Sequence, residues 1–424
     1  MEETGLQLAV RSGYHSALLL LTLLLSACAT GRHQKLTANV GSVTSAAFAT
    51  EMSRITGQAW SSGNSVVTLP NGGNFIPAML KAIRGAQKTI TWENFVCVDS
   101  QPVADFTTAF IERAKAGVKV HVVLDDYGCN TYGKQHLKAM QEAGVDLHLY
   151  SRWSWLNPFR YNHRTHRRIL VVDGQIGFVG GAGLAYAWDG HAEDSLRWRD
   201  TMYEVRGPVV SQLQEAFNDN WQELTGSRLS GPDYFPKLTS AGSLQAQSVL
   251  GSPKKVPDRI GSSFLLAIQS AQQSILISHA YFIPNRPMIR ALMDARKRGV
   301  RIEMLVPGDH TDMPICQSVT QPLLKRLIAA GVEVHEFQPC MMHGKLVVID
   351  DHLSIIGSGN MDQRSFFIND ENNLLVLSPA FAKAQRQMHE HDKTRCKQLA
   401  HPDLKLSTLR HIQGFLGRLV QHQL

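Results

Sequence analysis

The feature that most constrains this chain is that it repeats itself. Residues 81–90 read KAIRGAQKTI and residues 266–275 read LAIQSAQQSI, each followed by a β-rich stretch, TWENFVCVD and LISHAYFIP. RAKAGVKVHVVLDD (113–126) is answered by DARKRGVRIEMLVPGD (294–309), and LKAMQEAGVDLHLY (137–150) by LKRLIAAGVEVHEF (324–337). The offsets are 185, 182 and 187 residues, so one unit occurs twice in the same order. Within each unit a helix-period segment ends in Gly, and a β-branched or alternating run follows. Gly after a last helical turn is a C-cap, and the Val/Ile-rich run is a strand buried on at least one face. Helices alternating with single strands predict two similar α/β domains, their sheets mainly parallel or mixed and flanked by helices.

At 424 residues the chain exceeds one ordinary core but suits two. Hydrophobic content of 43% and charged content of 19% mark a globular chain, neither disordered nor polytopic. The expected division is a leader over 1–27, a first domain over 28–225, a linker over 226–260 and a second domain over 261–424. GSRLSGPDYFPK and SVLGSPKKVPDR make the linker stretch turn-rich. The formal charge of +7 suits an anionic partner, yet it is equally usual in proteins that bind none.

The leader is informative. Ala17 to Leu25 is an apolar run too short to span a bilayer, and it has the length of a signal-peptide core. It ends in Leu25-Ser26-Ala27-Cys28, which resembles the bacterial lipobox, a small residue before a cysteine that is diacylated. That resemblance implies a mature chain starting at Cys28, held by several acyl chains where one alone would bind marginally. Ala29 in place of Asp resembles the outer-membrane sorting pattern, so the implied place is the bacterial cell envelope, at the outer membrane facing the periplasm. Beyond Cys28, the cysteines are Cys97, Cys129, Cys316, Cys340 and Cys396. Their spacing carries no CxxC pair, no disulfide framework and no zinc pattern, leaving room for one incidental disulfide.

A fourth matched segment carries chemistry. The second half reads His343-Gly-Lys345-LVVI-Asp350, then Gly357-Ser358-Gly-Asn360; the first reads His166-Arg-Arg168-ILVV-Asp173, then Gly180-Gly181-Ala-Gly183. Along a strand, residues i and i+2 face the same way, so each half presents an imidazole beside a fixed cation. Asp173 and Asp350 belong to the motif, but their odd spacing from the cation turns them away, and the expected role is to tie down the following turn. Two such faces, brought together at a pseudo-twofold interface, place two histidines on opposite sides of one phosphorus.

At these residues the sequence resembles the phospholipase D superfamily, with its paired HxKx4Dx6GSxN motifs, and within it most closely the bacterial cardiolipin synthases. WENFVCVD, NHRTHRRILVVDG, WRDTMYEV, AYFIPN and GSGNMDQRSFFINDE carry the likeness over essentially the whole mature chain. The resemblance implies a phosphatidyltransferase with no cofactor and no metal. One histidine attacks phosphorus to give a phosphohistidine, and the other protonates the leaving alcohol and activates the acceptor. It implies that Lys345 and Arg168 hold the non-bridging oxygens, with Ser358 and Asn360 assisting. A carboxylate downstream of each motif orients its histidine, and the matches are Glu371 for the second half and Asp200 for the first. Family precedent makes His166 the nucleophile. Arg168 stands where the family has Lys, and Gly181 and Gly183 replace Ser and Asn, so Gly180 and Gly181 are expected to offer backbone N–H groups to phosphate. The expected substrate is a phospholipid such as phosphatidylglycerol, handled by a monomer anchored to a membrane. A hydrolytic phospholipase D and, less favoured, a nuclease are the rivals; the duplication and the lipobox count against nucleic acid as substrate.

Two flanking segments stay open. YSRWSWLNPFRYNHRTH, with Trp153, Trp155 and Phe159, fits a membrane-interface loop and equally a platform for single-stranded bases or a packed loop. The C-terminal LSTLRHIQGFLGRLV is amphipathic, suiting a helix that covers the second domain or one that lies on a membrane.

Overall fold

The computed structural model describes residues 33–37, 40–156, 158–256 and 258–400. The leader, Cys28 and the C-terminal amphipathic segment lie outside them. The first half contributes β1 (Ser61–Pro70), β2 (Thr89–Asn94), β3 (Lys119–Asp125), β4 (Asp146–Tyr150), β5 (Ile169–Val172), β6 (Ile176–Gly180) and β7 (Thr201–Arg206). The second contributes β8 (Leu244–Gly251), β9 (Ser274–His279), β10 (Phe282–Ile283), β11 (Arg301–Pro307), β12 (Glu333–Phe337), β13 (Lys345–Ile349), β14 (Leu353–Gly357), β15 (Met361–Asp362), β16 (Glu371–Leu377) and β17 (Cys396–Gln398).

The two halves do not form separate sheets. Fifteen strands, all but the small β10–β15 pair, form one sheet in the order β17-β12-β11-β9-β13-β14-β16-β8-β1-β7-β6-β5-β2-β3-β4. The order reads alike outward from the β8–β1 seam, which pairs antiparallel through Ser61 with Ala246 and Asn64 with Leu244. The stretch 226–260, expected to be a linker, therefore contains β8, a strand at the middle of the sheet. Within that sheet β2, β3 and β4 run parallel, as do β9, β11 and β12, and the remaining pairs are antiparallel. The sheet is mixed.

The core follows from the strand period. In β13, Val347 and Ile349 face a layer with Phe264, Ile268 and Leu292, whereas Leu346 and Val348 face the other side. In β5, Leu170 and Val172 pack with Trp92, Phe106 and Phe110, while Ile169 and Val171 face the other side. That other side is one hydrophobic layer drawing on both halves, with Leu213, Val205, Leu276 and Leu374 also in it. Burial on both faces is why these strands read as unbroken apolar runs. The cap glycines Gly117, Gly144, Gly299 and Gly331 all have positive φ, between 85° and 90°, as helix C-caps require. Arg167, fully buried, ties the halves further by donating to the carbonyls of Ala216 and Gly251 and to Asp219 and Ser252. No helix among the described residues is long and apolar enough to cross a membrane, and the five described cysteines are free.

Candidate active site

His166 and His343 stand just before β5 and β13, at the sheet edge where the parallel strands end. Each is fastened to the opposite half by its backbone. The His166 N–H donates to the Asp370 carbonyl at 2.8 Å, and the His343 N–H to the Arg199 carbonyl at 2.7 Å. The next residues along those partner segments are Glu371 and Asp200, so each carboxylate arrives beside the other half's histidine. His166 Nδ1 lies 2.8 Å from Glu371 Oε1, and His343 Nδ1 lies 2.6 Å from Asp200 Oδ2. This corrects the expectation that each carboxylate serves the histidine of its own motif. The exchange arises because the motif loops pair across the seam with the starts of β16 and β7. With Nδ1–H given to a carboxylate, Nε2 of each ring is left as the reactive atom, that of His343 lying 3.4 Å from Lys345 Nζ.

The two carboxylates are held by different donors. Glu371 accepts from Ser358 Oγ at 2.5 Å and from Ser365 Oγ at 2.8 Å. Asp200 accepts from the Trp188 indole Nε1 at 3.0 Å and from the Thr201 backbone N–H at 2.7 Å. Trp188 thus does for Asp200 what Ser358 does for Glu371. A Cβ at Gly181 would stand 2.7 Å from Asp200 Oδ1 and 3.1 Å from Lys345 Cδ, so a serine there would displace the carboxylate. A Cβ at Gly183 would meet the Trp188 ring at 2.8 Å. The expected use of Gly180 and Gly181 as phosphate donors does not fit this geometry. Gly180 pairs in the β6–β7 ladder opposite Met202, and the Gly181 N–H points to the Thr201 carbonyl at 3.4 Å. The glycines make room for Asp200.

The cations repeat one arrangement. Arg168 Nη1 donates to the His166 carbonyl at 2.6 Å, and Lys345 Nζ to the His343 carbonyl at 2.7 Å. Both are buried, and Arg168 Nε has no partner. The Asn360 side-chain oxygen is also buried without a partner. Asp173 and Asp350 lie at the far ends of β5 and β13, away from the histidines. Asp173 accepts the backbone N–H groups of Gln87, Lys88 and Thr89 at 2.7–2.9 Å, and Asp350 those of Gln272, Gln273 and Ser274 at 2.7–2.9 Å. They fix the turn, at φ 52° and 51°, and take no part at the reacting edge.

Sequence reasoning missed Trp188, Ser365 and His279. Trp188 lies in an insertion that the second half lacks, so no internal match pointed to it. His279 is buried opposite Lys345 with neither ring nitrogen hydrogen-bonded, and burial with that lysine beside it pulls its pKa down to about 3. The repeat aligns it with Asn94, a change that texture alone does not flag.

Burial sets the electrostatics. It pushes the His166 pKa well below the usual imidazole value, with Arg168 and Lys345 adding to the fall. Burial and Lys345 bring His343 down to about 3, opposed by Asp200. Burial lifts Glu371 to about 7 against its hydrogen bond from Ser358. Burial works on Asp200 too, but the His343 charge and hydrogen bond outweigh it and hold the carboxyl below its usual range. Burial lowers Lys345 to about 8, Asp200 resisting and Arg168 assisting. The two sides are chemically alike but not equal: one histidine faces a firmly ionised carboxylate, the other a carboxyl near neutrality.

The comparisons agree with this architecture. The model of the cardiolipin synthase, PLD-like domain matches residues 79–221 and again 264–393. Cardiolipin synthase A of Pseudomonas fluorescens is 32% identical over 338 residues, covering 80% of this chain and 70% of the relative. Cardiolipin synthase A of Pseudomonas putida is 31% identical over 341 residues, covering 80% of this chain and 71% of the relative. Phosphatidylserine synthase of Haemophilus influenzae has a similar fold, with a TM-score of 0.67 at 12% identity over 89% of this chain and 99% of that one. With two matched domains, one motif histidine in each, the chain belongs to the phospholipase D superfamily, in the family of the cardiolipin synthase, PLD-like domain.

Proposed function

We propose that the protein is a phosphatidyltransferase that moves a phosphatidyl group from phosphatidylglycerol to an alcohol, a second phosphatidylglycerol being the favoured acceptor. His166 Nε2 attacks phosphorus, forming an N–P bond as the P–O bond to glycerol breaks. His343 gives its proton to the departing glycerol oxygen. The acceptor alcohol then returns a proton to His343 and attacks phosphorus, breaking the N–P bond and releasing cardiolipin. Lys345 and Arg168 neutralise the non-bridging oxygens, and the Asn360 amide turns to them.

The observation that carries this division of labour is the unequal carboxylate pair. Ionised Asp200 opposes the burial that draws His343 down to about 3, and the negative phosphodiester adds to that opposition on binding, so His343 takes up the acid's proton in the complex. Glu371, lifted to about 7, leaves His166 neutral with Nε2 free to attack. The phospholipid substrate is supported by the likeness to the Pseudomonas enzymes. In this proposal the protein acts as a monomer, anchored through Cys28 at the outer membrane facing the periplasm.

Incubation with phosphatidylglycerol and mass analysis of products tests the reaction. Cardiolipin with glycerol is expected; phosphatidic acid alone would make the enzyme a hydrolase. Acid-free quenching and peptide mapping should place the phosphatidyl adduct on the His166 peptide, and an adduct on the His343 peptide would reverse the roles. Labelled palmitate should enter the parent chain and not Cys28→Ala.

A further inference from the structure

Six large apolar side chains stand exposed among the described residues: Val67 at 50%, Trp155 at 84%, Leu156 at 98%, Tyr186 at 45%, Leu196 at 47% and Met313 at 38%. Five of them sit on one edge of the sheet. Trp155 and Leu156 follow the end of β4, and Met313 follows the end of β11, which run toward the histidine edge in their respective halves. Tyr186 and Leu196 lie between Gly180 and Asp200, in the loop that leaves β6 at that same edge. Val67 alone lies elsewhere, within β1.

The loop after β4 is built to hold its tip out. Trp153 packs edge-on against Trp155 and against Tyr161, each at 5.4 Å between ring centres, and Arg164 stands over Tyr161 at 4.3 Å. The base is fixed to the second half, where Arg364 donates to Asn162 at 3.1 Å and His163 Nδ1 meets the Ile368 carbonyl at 3.0 Å. Rigid support below and two bare apolar side chains above are wasteful in water but suit an apolar partner. Arg152, its side chain 73% exposed and 3.9 Å from Asp126, stands beside the tip.

We propose that this edge is a membrane-docking face: Trp155 and Leu156 enter the interfacial layer of an anionic phospholipid bilayer, with Tyr186, Leu196 and Met313 around them. Tryptophan with a neighbouring arginine matches an interface that is apolar below and charged above. The histidines lie buried at the same edge, so a lipid drawn from the bilayer reaches the site from the docking side. This rests on the phosphatidyl-transfer reading.

The test uses the full chain carrying Cys28→Ala, so that acylation cannot mask the face. Binding to vesicles of phosphatidylglycerol and phosphatidylethanolamine is measured by co-sedimentation, and insertion by quenching of tryptophan fluorescence with brominated phosphatidylglycerol. Trp155→Ala with Leu156→Ser should weaken vesicle binding at least tenfold and abolish most of the quenching, while Val67→Ser changes neither. Equal loss from Val67→Ser, or undiminished binding by the loop variant, overturns the docking face. So does loop-dependent binding of a single-stranded oligonucleotide in place of vesicles. Transfer by the parent chain in mixed micelles is read alongside: its absence refutes the transfer reading, whereas intact transfer without loop-dependent binding refutes only the face.

Discussion

Asp200→Asn should damage His343, which lies 143 residues away in the sequence, and spare His166. Asparagine matches aspartate in shape and keeps an oxygen for the Thr201 N–H, while its NH2 group takes the place of the oxygen that accepts from both His343 and the Trp188 indole. What it removes is the negative charge accepting the His343 Nδ1–H at 2.6 Å in a fully buried pair. A hydrogen bond to a charged group contributes about 1.5–3 kcal/mol. At about 1.4 kcal/mol per factor of ten, kcat should fall between about tenfold and about 150-fold. The sign follows from charge: without Asp200 the His343 pKa falls further, and because His343 acts as the proton donor, the alkaline limb of the pH–rate profile moves to lower pH. Rapid-quench kinetics with phosphatidylglycerol would follow the rate, and proton NMR of ¹⁵N-histidine-labelled protein would follow each Nδ1–H. The His343 resonance should move and the His166 resonance should stay, with the reverse in Glu371→Gln. If Asp200→Asn shifts His166 and leaves His343 in place, the crossed pairing is wrong.

Restoring the motif serine should harm the enzyme: Gly181→Ser brings a Cβ within 2.7 Å of Asp200 Oδ1 and is expected to lower kcat at least tenfold, checked in the same transfer assay. Asp173→Ala removes three hydrogen bonds at a turn, two of them exposed and one half-buried, and should cost about 2 kcal/mol of stability in denaturant titration, with KM unchanged. Burial raises Glu303, but His389 and Lys393 more than offset it and hold the pKa at about 2, below its ordinary 4.5. A depressed carboxylate contributes stability above its unfolded pKa and loses it as pH falls through the folded one. Glu303→Gln should therefore lower Tm at pH 7, and the gap to the parent should close between about pH 4.5 and about pH 2.

What the sequence revealed and what it hid divide along physical lines. The duplication, the cap glycines and the strand runs of β5 and β13 were legible because each depends on near neighbours. Parity along a strand turned Asp173 and Asp350 away from the histidines, although both belong to the catalytic motif, and they lie at the far ends of β5 and β13. The strands β1 and β8 were not read: Gly63 and Asn64 interrupt one, and Pro/Ser-rich flanks disguise the other. Their pairing is what joins two expected sheets into one. The exchange of Glu371 and Asp200 was equally hidden, since motif spacing describes one half at a time and the carboxylate partner is set by contacts across the seam. At Gly181 a missing serine read as a backbone donor to phosphate, whereas the glycine makes room for Asp200, whose hydrogen bond is supplied by Trp188 from an unrepeated insertion.

The crossed pairing also bears on why such a protein would be one chain and not two copies of a shorter one. A symmetrical pair of identical subunits would have to present the same environment to both imidazoles until a substrate arrived to distinguish them. Here the halves have drifted: Asp against Glu, indole against hydroxyl, Arg against Lys. Tandem fusion turns an enforced equality into two separately adjustable partners, so that one ring can be set to attack phosphorus and the other to hand over a proton. The same entanglement should prevent either half from evolving, or being excised, on its own, because each carries the other's tuning group.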